Sequence, residues 1–285
     1  MAPVQFAAII VSYNPDTDKL TQTIDELEGQ GFQVIVIDNA SANHAGVRAA
    51  SQGAVLVEFP VNRGIAAALN EGMRVAKSLG DEWVLSLDQD SQVAPNLFDE
   101  FEANLDLSGA GALCPHIVKQ GDVNPDLELF GITEVERCPT TGFLLNVSAW
   151  EAVGGYDEWM FIDYVDYDMC VRLRTSGFKI YRIESTYVIQ NLGNMTVHRL
   201  PYAIGKALRW KKLQNFAISY NHSPQRNYYY VRNALYYIRH YGSFIDTRTE
   251  IIRVIKWEMK KVLLERHRLE NIKAIFDAIH DSAER

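Results

Sequence analysis

Residues 6–41 read FAAIIVSYNPDTDKLTQTIDELEGQGFQVIVIDNAS and contain two β-branched runs, at 6–12 and 34–37. Three apolar residues between these runs have the i, i+4, i+7 spacing of one helix face: Leu20, Ile24 and Leu27. Both runs are continuously apolar, which is typical of parallel strands buried on both faces. The segment therefore predicts a β-α-β unit.

The same pattern recurs further along the chain. Strand-like runs at 54–59 and 83–87 flank a helix-like segment at 64–78, GIAAALNEGMRVAKS. Short apolar runs (GALC, FLLNV), a helix at 165–176 and a strand at 179–182 complete this part. Repeated β-α units predict a doubly wound α/β sheet, which binds its ligands at the carboxyl ends of the strands.

The chain changes in composition after Pro201. Helical periodicity at 202–216, 227–241 and 249–279 predicts three helices, rich in Tyr, Arg, Lys and Leu. We expect an α/β domain at 1–200 and a basic, aromatic-rich helical extension at 201–285.

Charge is divided unevenly along the 285 residues, whose net charge is −8. Residues 1–198 hold 11 Lys and Arg against 28 Asp and Glu, a net of −17, whereas residues 199–285 hold 17 against 8, a net of +9. With 47% apolar residues the chain is not a disordered protein. A basic segment on an acidic body indicates one surface for an anionic partner and another for metal cations.

Three cysteines, Cys114, Cys138 and Cys170, have no CxxC spacing, which favours buried thiols over a disulfide framework. The N-terminus has neither the basic nor the long apolar region of a signal peptide, and no window is apolar enough to span a membrane. We therefore expect a cytoplasmic protein.

Acidic residues follow the strand at 83–87 directly. Asp88 and Asp90 are spaced i, i+2 at the predicted edge of the sheet, and Asp38 ends a neighbouring strand. Carboxylate oxygens at this position suit a hard divalent cation that also holds a diphosphate. A short acidic turn without a ligand is the alternative, and neither a GxGxxG fingerprint nor a P-loop is present.

Six ordered motifs resemble those of the family 2 glycosyltransferases with the GT-A fold, which implies a Rossmann-like α/β domain with a mixed, mainly parallel sheet flanked by helices. The motifs are IIVSYN, VIDNAS, NRGIAAALNEG, LSLDQDS, TTGFLLNVSAWEAVGGYDE and FIDYVDYDMCVRLRTSGFKIYR, which together span about residues 4 to 200. The DQDS variant, NRGIAAALN and the later SPQRNYYYVRN further resemble bacterial rhamnosyltransferases that use dTDP-L-rhamnose to build cell-surface polysaccharide. Galactofuranosyl and other hexosyl enzymes share most of these motifs.

The resemblance implies a nucleotide-sugar site. Seven residues are expected to bind the donor: Val11, Ser12, Tyr13, Asp38, Arg63, Asp88 and Gln89. Asp38 would accept a hydrogen bond from the pyrimidine N3–H, which thymine and uracil carry and cytosine lacks. Asp90 would bind the cation, Mn²⁺ or Mg²⁺, with Asp88 and His198 as further candidate ligands.

The acidic run at 163–168 offers the general base. In the family the base is the aspartate six residues before a helical arginine, and counting back from Arg172 gives Asp166. It would take the proton of an acceptor hydroxyl in a single inverting displacement, whereas an N-terminal helix cap suits Asp168 better. Asp163 and Gly142 are the expected contacts to acceptor or sugar, Gly142 because it carries no Cβ.

One departure from the family concerns the metal. Members commonly carry a histidine in an H-x-x-G setting after the last core strand, and here the matching residues are Gln190-Asn191-Leu192-Gly193. A glutamine carbonyl is a weak neutral ligand, which puts the cation affinity in question.

The basic extension lacks any RNA-binding motif, which argues against nucleic acid as a partner. A glycan or polyprenyl-diphosphate-linked acceptor at the inner face of the cell membrane fits its charge. Six apolar residues of the 251–264 segment are expected on one interfacial helix face: Ile251, Val254, Ile255, Trp257, Val262 and Leu263. Packing of that helix on the body or in a homodimer is the alternative.

The sequence thus predicts an inverting, metal-assisted glycosyltransferase, with L-rhamnose as the first candidate sugar. A UDP-sugar enzyme (galactofuranosyl, glucosyl or galactosyl) and a non-catalytic nucleotide-sugar or glycan-binding module remain the alternatives.

Overall fold

The computed structural model describes residues 5–119, 130–190 and 196–283. Nine strands form one mixed sheet in the order β3-β2-β1-β4-β8-β6-β9-β5, with β7 paired to β9. The four strands β3-β2-β1-β4 are mutually parallel, as are β6 and β9. The strands are β1 Phe6–Ser12, β2 Gln33–Asp38, β3 Val55–Glu58, β4 Trp83–Asp88, β5 Gln92–Val93, β6 Ala110–Lys119, β7 Ile132–Glu134, β8 Phe143–Asn146 and β9 Lys179–Gln190; β10 Thr196–Val197 and β11 Ile218–Ser219 form a separate ladder.

Helices follow most of the strands. A 3₁₀ turn at Glu158–Met160 precedes the helix that carries the acidic run. The helices are α1 Thr17–Gln30, α2 His44–Ala50, α3 Gly64–Leu79, α4 Leu97–Glu102, α5 Val147–Ala152, α6 Val165–Thr175, α7 Arg199–Ala207, α8 Lys211–Phe216, α9 Pro224–Tyr241, α10 Thr247–Leu264 and α11 Arg268–Asp281. The predicted α/β sheet with a C-terminal helical extension is confirmed.

Strand β1 shows why the apolar runs do not alternate. Ala8 and Ile10 pack in one core cluster with Leu20 and Ile24 of α1. Ile9, on the opposite face, lies against Gly72 of α3. Each residue from 6 to 10 is at most 3% exposed, so both faces of the parallel half of the sheet are covered.

The predicted strands and helices differ from the structure mainly in the C-terminal extension. Of the three helices predicted there, the one at 227–241 is confirmed as α9. The other two were wrong as single helices: residues 202–216 break at Arg209, whose φ is +52°, and residues 249–279 break after Leu264. The predicted strand at 179–182 continues to Gln190.

Contacts between Cα atoms group the described residues into two units. The first contains 5–161 and 165–190, and the second contains 162–164 and 196–283. Three residues that directly precede α6, Ile162–Tyr164, thus belong to the second unit. None of the described helices is long and apolar enough to cross a bilayer.

Candidate active site

Three neighbouring parallel strands end at one edge of the sheet. In the register of β1 with its partners, Ser12 lies opposite Asp38 of β2 and Val11 lies opposite Asp88 of β4. With strands spaced about 4.8 Å apart, the two aspartates flank the end of β1 at a backbone separation of about 10 Å. The structure therefore brings four of the predicted donor residues together.

Asp38 is buried, with 1% of its surface exposed. The Ser41 amide donates to both carboxylate oxygens at 3.3 Å, and the Ser41 hydroxyl donates a shorter bond. The Ser12 hydroxyl lies 3.5 Å from Oδ1. These contacts fix the orientation of a carboxylate, which accepts hydrogen bonds and donates none.

The Asn39 side chain, next to Asp38, forms hydrogen bonds within the protein. Its Oδ1 accepts from the Arg63 amide at 2.8 Å, and its Nδ2 donates to the Gly64 carbonyl at 3.2 Å. These bonds tie the end of β2 to the start of α3.

The Gln89 side chain pairs with the backbone of Tyr13. Its Oε1 accepts from the Tyr13 amide at 2.8 Å, and its Nε2 donates to the Tyr13 carbonyl at 3.4 Å. The Tyr13 side chain stays 50% exposed. Gln89 thus connects the loop after β4 to the loop after β1 and leaves the Tyr13 ring exposed.

Asp88 and Asp90 are both half-buried. The Asp88 amide donates to Thr141 Oγ1 at 3.3 Å, and its carboxylate Oδ2 accepts from Gln190 Nε2 at 3.3 Å. Asp90 lines a cavity of about 70 Å³ together with Lys19. The residue that replaces the family's histidine therefore lies against the first aspartate of the DxD motif, whereas Asn191, Leu192 and Gly193 lie outside the described residues.

The candidate metal ligands fit a cation shared with a diphosphate rather than a site made of protein ligands alone. Within the described ranges, no three His, Cys, Asp or Glu side chains are grouped as metal ligands. Mg²⁺ is commonly bound by one or two carboxylates and completed by substrate phosphates and water. Asp88 and Asp90 have the chemistry for the protein's share of such a shell.

Arg63 is engaged in a charged cluster. Its guanidinium lies 3.4 Å from Glu158 Oε2 and 4.9 Å from the centre of the Phe59 ring. Burial raises the pKa of Glu158, but hydrogen bonds from Asn70 and Arg74 outweigh it and leave the pKa below its usual value. Arg63 must exchange this exposed contact to reach a diphosphate.

Asn70 and Trp150 support the core rather than a ligand. Asn70 Oδ1 accepts from the Tyr156 amide at 2.8 Å and from Trp150 Nε1 at 3.1 Å. Both side chains are buried, so this hydrogen bond lies in the core.

The acidic run separates into residues with different surroundings. Asp168 is 1% exposed and forms an ion pair with Arg172, whose Nη1 also donates to the Val153 and Gly155 carbonyls. Asp166, the second residue of α6, is half-buried, and its Oδ1 accepts from the Tyr167 amide at 3.0 Å. A carboxylate in the first turn is favoured in its ionised form by the helix dipole. The two aspartates therefore have different surroundings: Asp168 is held in a buried ion pair, whereas Asp166 is partly exposed.

Gly142 has a packing role visible in the structure. Its φ is +82°, and a Cβ there would lie 2.9 Å from the Pro115 ring. Its amide donates to the Ser86 carbonyl at 2.8 Å. These contacts explain the glycine without a ligand, and the proposed contact to the acceptor is additional to them.

Asp163 and His198 belong to the second unit. Asp163 forms a two-bond ion pair with Arg226, at 3.1 and 3.0 Å. His198 Nε2 lies 2.9 Å from Ser219 Oγ. Both side chains thus have protein partners within their own unit.

The backbone around Asp163 is strained and is held by several hydrogen bonds. Phe161, Asp163 and Tyr164 all have φ near +60°, a conformation that costs non-glycine residues about 1 to 3 kcal/mol each. Asn233 Nδ2 donates to the carbonyls of Ile162 and Asp163, each at 2.9 Å.

Tyr164 is tied to α10 in the same unit. Its hydroxyl donates to Glu250 at 2.7 Å and accepts from Arg253 at 3.0 Å. Sequence reasoning missed Asn233 and Glu250, because their partners lie about 70 to 90 residues away. It also missed Thr141, whose only signal was its place beside Gly142 in the TTGF motif.

A partly parallel sheet with carboxylates at the ends of neighbouring strands is typical of α/β proteins that bind a ligand at this edge. Two solved structures share the fold. GalNAc-T7 with UDP, GalNAc and Mn²⁺ matches 85% of this chain with a TM-score of 0.60 at 15% identity, and this chain spans about half (49%) of its length. S. aureus TarS 1–349 in complex with UDP-GlcNAc matches 97% of this chain and 81% of its own, with a TM-score of 0.57 at 13% identity.

Residues 7–154 match the model of Glycosyl transferase family 2, and the chain belongs to that family. It is therefore a glycosyltransferase, and the GT-A fold implied by its motifs is confirmed. The dTDP-rhamnosyl transferase RfbF of Shigella flexneri is 28% identical over 249 residues, which cover 81% of this chain and 79% of RfbF. The Mycobacterium tuberculosis protein Rv1525 is 25% identical over 188 residues, 61% of this chain and 69% of its own.

Proposed function

We propose that this glycosyltransferase transfers L-rhamnose from dTDP-L-rhamnose, with inversion, to a lipid-linked acceptor of cell-surface polysaccharide synthesis in the cytoplasm. The observation that carries the proposal is the buried carboxylate of Asp38, held at the edge where the donor should bind. A hydrogen-bond acceptor with a fixed orientation at this place selects a base with an N3–H, such as thymine. The likeness to RfbF favours dTDP-rhamnose among the donors that meet this condition.

Asp166 is the proposed general base. Its carboxylate would accept the proton of the acceptor hydroxyl as that oxygen attacks the anomeric carbon opposite the diphosphate. Asp88 and Asp90 would hold the divalent cation, which neutralises charge on the departing nucleoside diphosphate. Val11, Ser12, Tyr13 and Gln89 would enclose the nucleotide. Asp163, Gly142 and Arg63 are retained as sugar or diphosphate contacts, and His198 as a candidate cation ligand.

A panel of donors tests the sugar. Release of nucleoside diphosphate is measured with dTDP-L-rhamnose, UDP-galactofuranose, UDP-glucose and UDP-galactose, with Mn²⁺, with Mg²⁺ and with EDTA. We expect turnover with dTDP-L-rhamnose in the presence of a cation. Turnover with a UDP-sugar alone would favour the second candidate donor class, and no turnover with any donor would favour a binding module.

Asp166→Asn tests the base. The asparagine keeps an oxygen for the Tyr167 amide, so the helix start should remain intact. Loss of a general base lowers transfer by about 10²- to 10⁴-fold, while donor affinity measured by calorimetry stays unchanged. Asp106→Asn, an exposed change in the same unit, is the control. Equal transfer by Asp166→Asn and the wild-type chain would end the assignment.

A further inference from the structure

Residues 196–219 form a closed substructure within the second unit, which we call the basic hairpin. Thr196 pairs with Ser219 and Val197 with Ile218, so that β10 and β11 close its base. The His198 amide adds a bond to the Ala217 carbonyl at 2.8 Å. Helices α7 and α8 lie between these ends.

The two helices of the basic hairpin pack tightly at Gly205. A Cβ at this position would lie 2.9 Å from the Gln214 amide nitrogen. The Gly205 carbonyl accepts from the Trp210 amide at 2.8 Å and from Gln214 Nε2 at 3.1 Å. One side of α7 is thereby committed to α8.

The other side of α7 carries an exposed apolar row. Leu200, Ile204 and Leu208 follow one another at i, i+4 and i+8 and therefore share a face. They are 74%, 44% and 65% exposed, and Trp210 beside them is 54% exposed. A helix normally buries such a row, so this face lacks the cover that its sequence calls for.

The charge around this row is of one sign. Five exposed cations lie in the basic hairpin: Arg199, Lys206, Arg209, Lys211 and Lys212. The sequence contains no Asp or Glu from residue 185 to residue 245. Within the described part of the chain, none of the five forms an ion pair.

More than half of the excess positive charge of the C-terminal region lies in the basic hairpin, which holds five of the eight Lys and Arg of residues 199–245; the other three lie on α9. Residues 199–245 hold eight Lys and Arg and no Asp or Glu, a net of +8, whereas residues 246–285 hold nine against eight, a net of +1. Helix α10 also exposes apolar side chains, including Ile251, Ile255 and Leu263, but it lies in the nearly neutral part. Val254, expected on the same face, is buried, so the single apolar face predicted for this helix was wrong.

We propose that the basic hairpin docks on an anionic lipid surface. Its apolar row and Trp210 would enter the boundary between headgroups and acyl chains, while the five cations meet the lipid phosphates. The partner is identified by complementarity: the basic hairpin combines an exposed apolar row with unopposed positive charge. The inference does not depend on which sugar the enzyme transfers.

Cosedimentation of the full chain with vesicles tests the proposal. One set of vesicles is phosphatidylcholine alone, and the other contains an equal amount of phosphatidylglycerol. We expect binding to the anionic vesicles only, weakened by added salt. The charge variant Lys206→Gln/Arg209→Gln/Lys211→Gln should bind on the order of 100-fold more weakly, about five-fold for each lost cation.

Two further variants separate the hairpin from other surfaces. Leu200→Ser/Ile204→Ser/Leu208→Ser should lose binding with its charges intact, whereas the matched control Ile251→Ser/Ile255→Ser/Met259→Ser on α10 should bind as the wild-type chain does. The thermal midpoint and donor turnover of each variant establish that it is folded, and the charge variant alters only exposed side chains.

Four results would overturn the proposal: no preference of the wild-type chain for anionic vesicles, wild-type binding by the hairpin variants, equal loss in the α10 control, or a dimer in sedimentation velocity that the hairpin variants dissociate. The last would identify a second copy as the partner. Vesicle binding contains no catalytic step, so its failure leaves the proposed rhamnosyl transfer to be judged by the donor panel.

Discussion

Replacement of Gln190 by glutamate tests whether the end of β9 belongs to the cation site. Gln190 Nε2 lies 3.3 Å from Asp88 Oδ2, so a carboxylate at position 190 places a second negative charge at nearly the same distance. Two like charges at about 4 Å repel by about 1 kcal/mol in water and about 4 kcal/mol at an effective dielectric constant of 20. Both side chains are half-buried, and we expect Gln190→Glu to destabilise the protein by roughly 2 kcal/mol without divalent cations.

A cation bound by both carboxylates removes this repulsion. The same roughly 2 kcal/mol should then strengthen Mn²⁺ binding by about 30-fold. The assay is the thermal unfolding midpoint in EDTA and across a Mn²⁺ titration, because a ligand of the folded state raises the midpoint by mass action. Gln52→Glu, an exposed change in the same unit, controls for the added charge. A Mn²⁺ dependence equal to that of the wild-type chain would refute the placement of Gln190 at the cation site.

Three further predictions concern stability. Gly142→Ala should lower the free energy of unfolding in urea by about 2 to 4 kcal/mol, because it adds a clash with Pro115 to an unfavourable φ. The control Gly154→Ala has φ +81° and open space around it, so it should lose only the part that comes from φ. Equal losses in the two variants would contradict this. Burial raises the pKa of Asp81 to about 6 and leaves its Oδ2 without a hydrogen bond within the described residues. Asp81→Asn should therefore raise the free energy of unfolding near pH 8 by about 1 to 2 kcal/mol after solvent screening, seen as a higher thermal midpoint, and should have little effect near pH 4. Burial and nearby cations lower the pKa of His222 from 6.5 to about 4. The unfolded chain therefore binds the proton first, and the free energy of unfolding falls by up to about 3 kcal/mol as the pH decreases from 6.5 to about 4. A His222→Gln variant with the same pH dependence as the wild-type chain would contradict this.

The parallel half of the sheet was predictable because its signals are local. The run at 6–12 became β1 without a change in bounds, and the helix predicted at 64–78 extends only to Leu79. The break between α7 and α8 was not predictable, because residues 208–210 contain neither glycine nor proline and Arg209 adopts a left-handed conformation. The turn is closed by the bond from the Trp210 amide to the Gly205 carbonyl and by the packing of Gly205 against Gln214.

The candidate site divides in a similar way. The position of Asp38 and Asp88 at one sheet edge follows from the β-α pattern, since parallel strands end together. The approach of Gln190 to Asp88 depends on β9 continuing beyond residue 182, which its apolar pattern did not reveal. The bonds from Asn233 to residues 162 and 163 join segments about 70 residues apart, and no periodicity encodes such a pairing.

The excursion of residues 162–164 into the second unit limits how this enzyme can be divided. A fragment ending near residue 200 would retain Tyr164 and Asp163 but would lack Glu250, Arg226 and Asn233, which hold them. During synthesis, about ninety further residues have to be added after this short segment before the last of its partners, Arg253, is present. The C-terminal region is therefore not a portable module: an exchange of tails between related enzymes has to carry a matching tripeptide just upstream of α6.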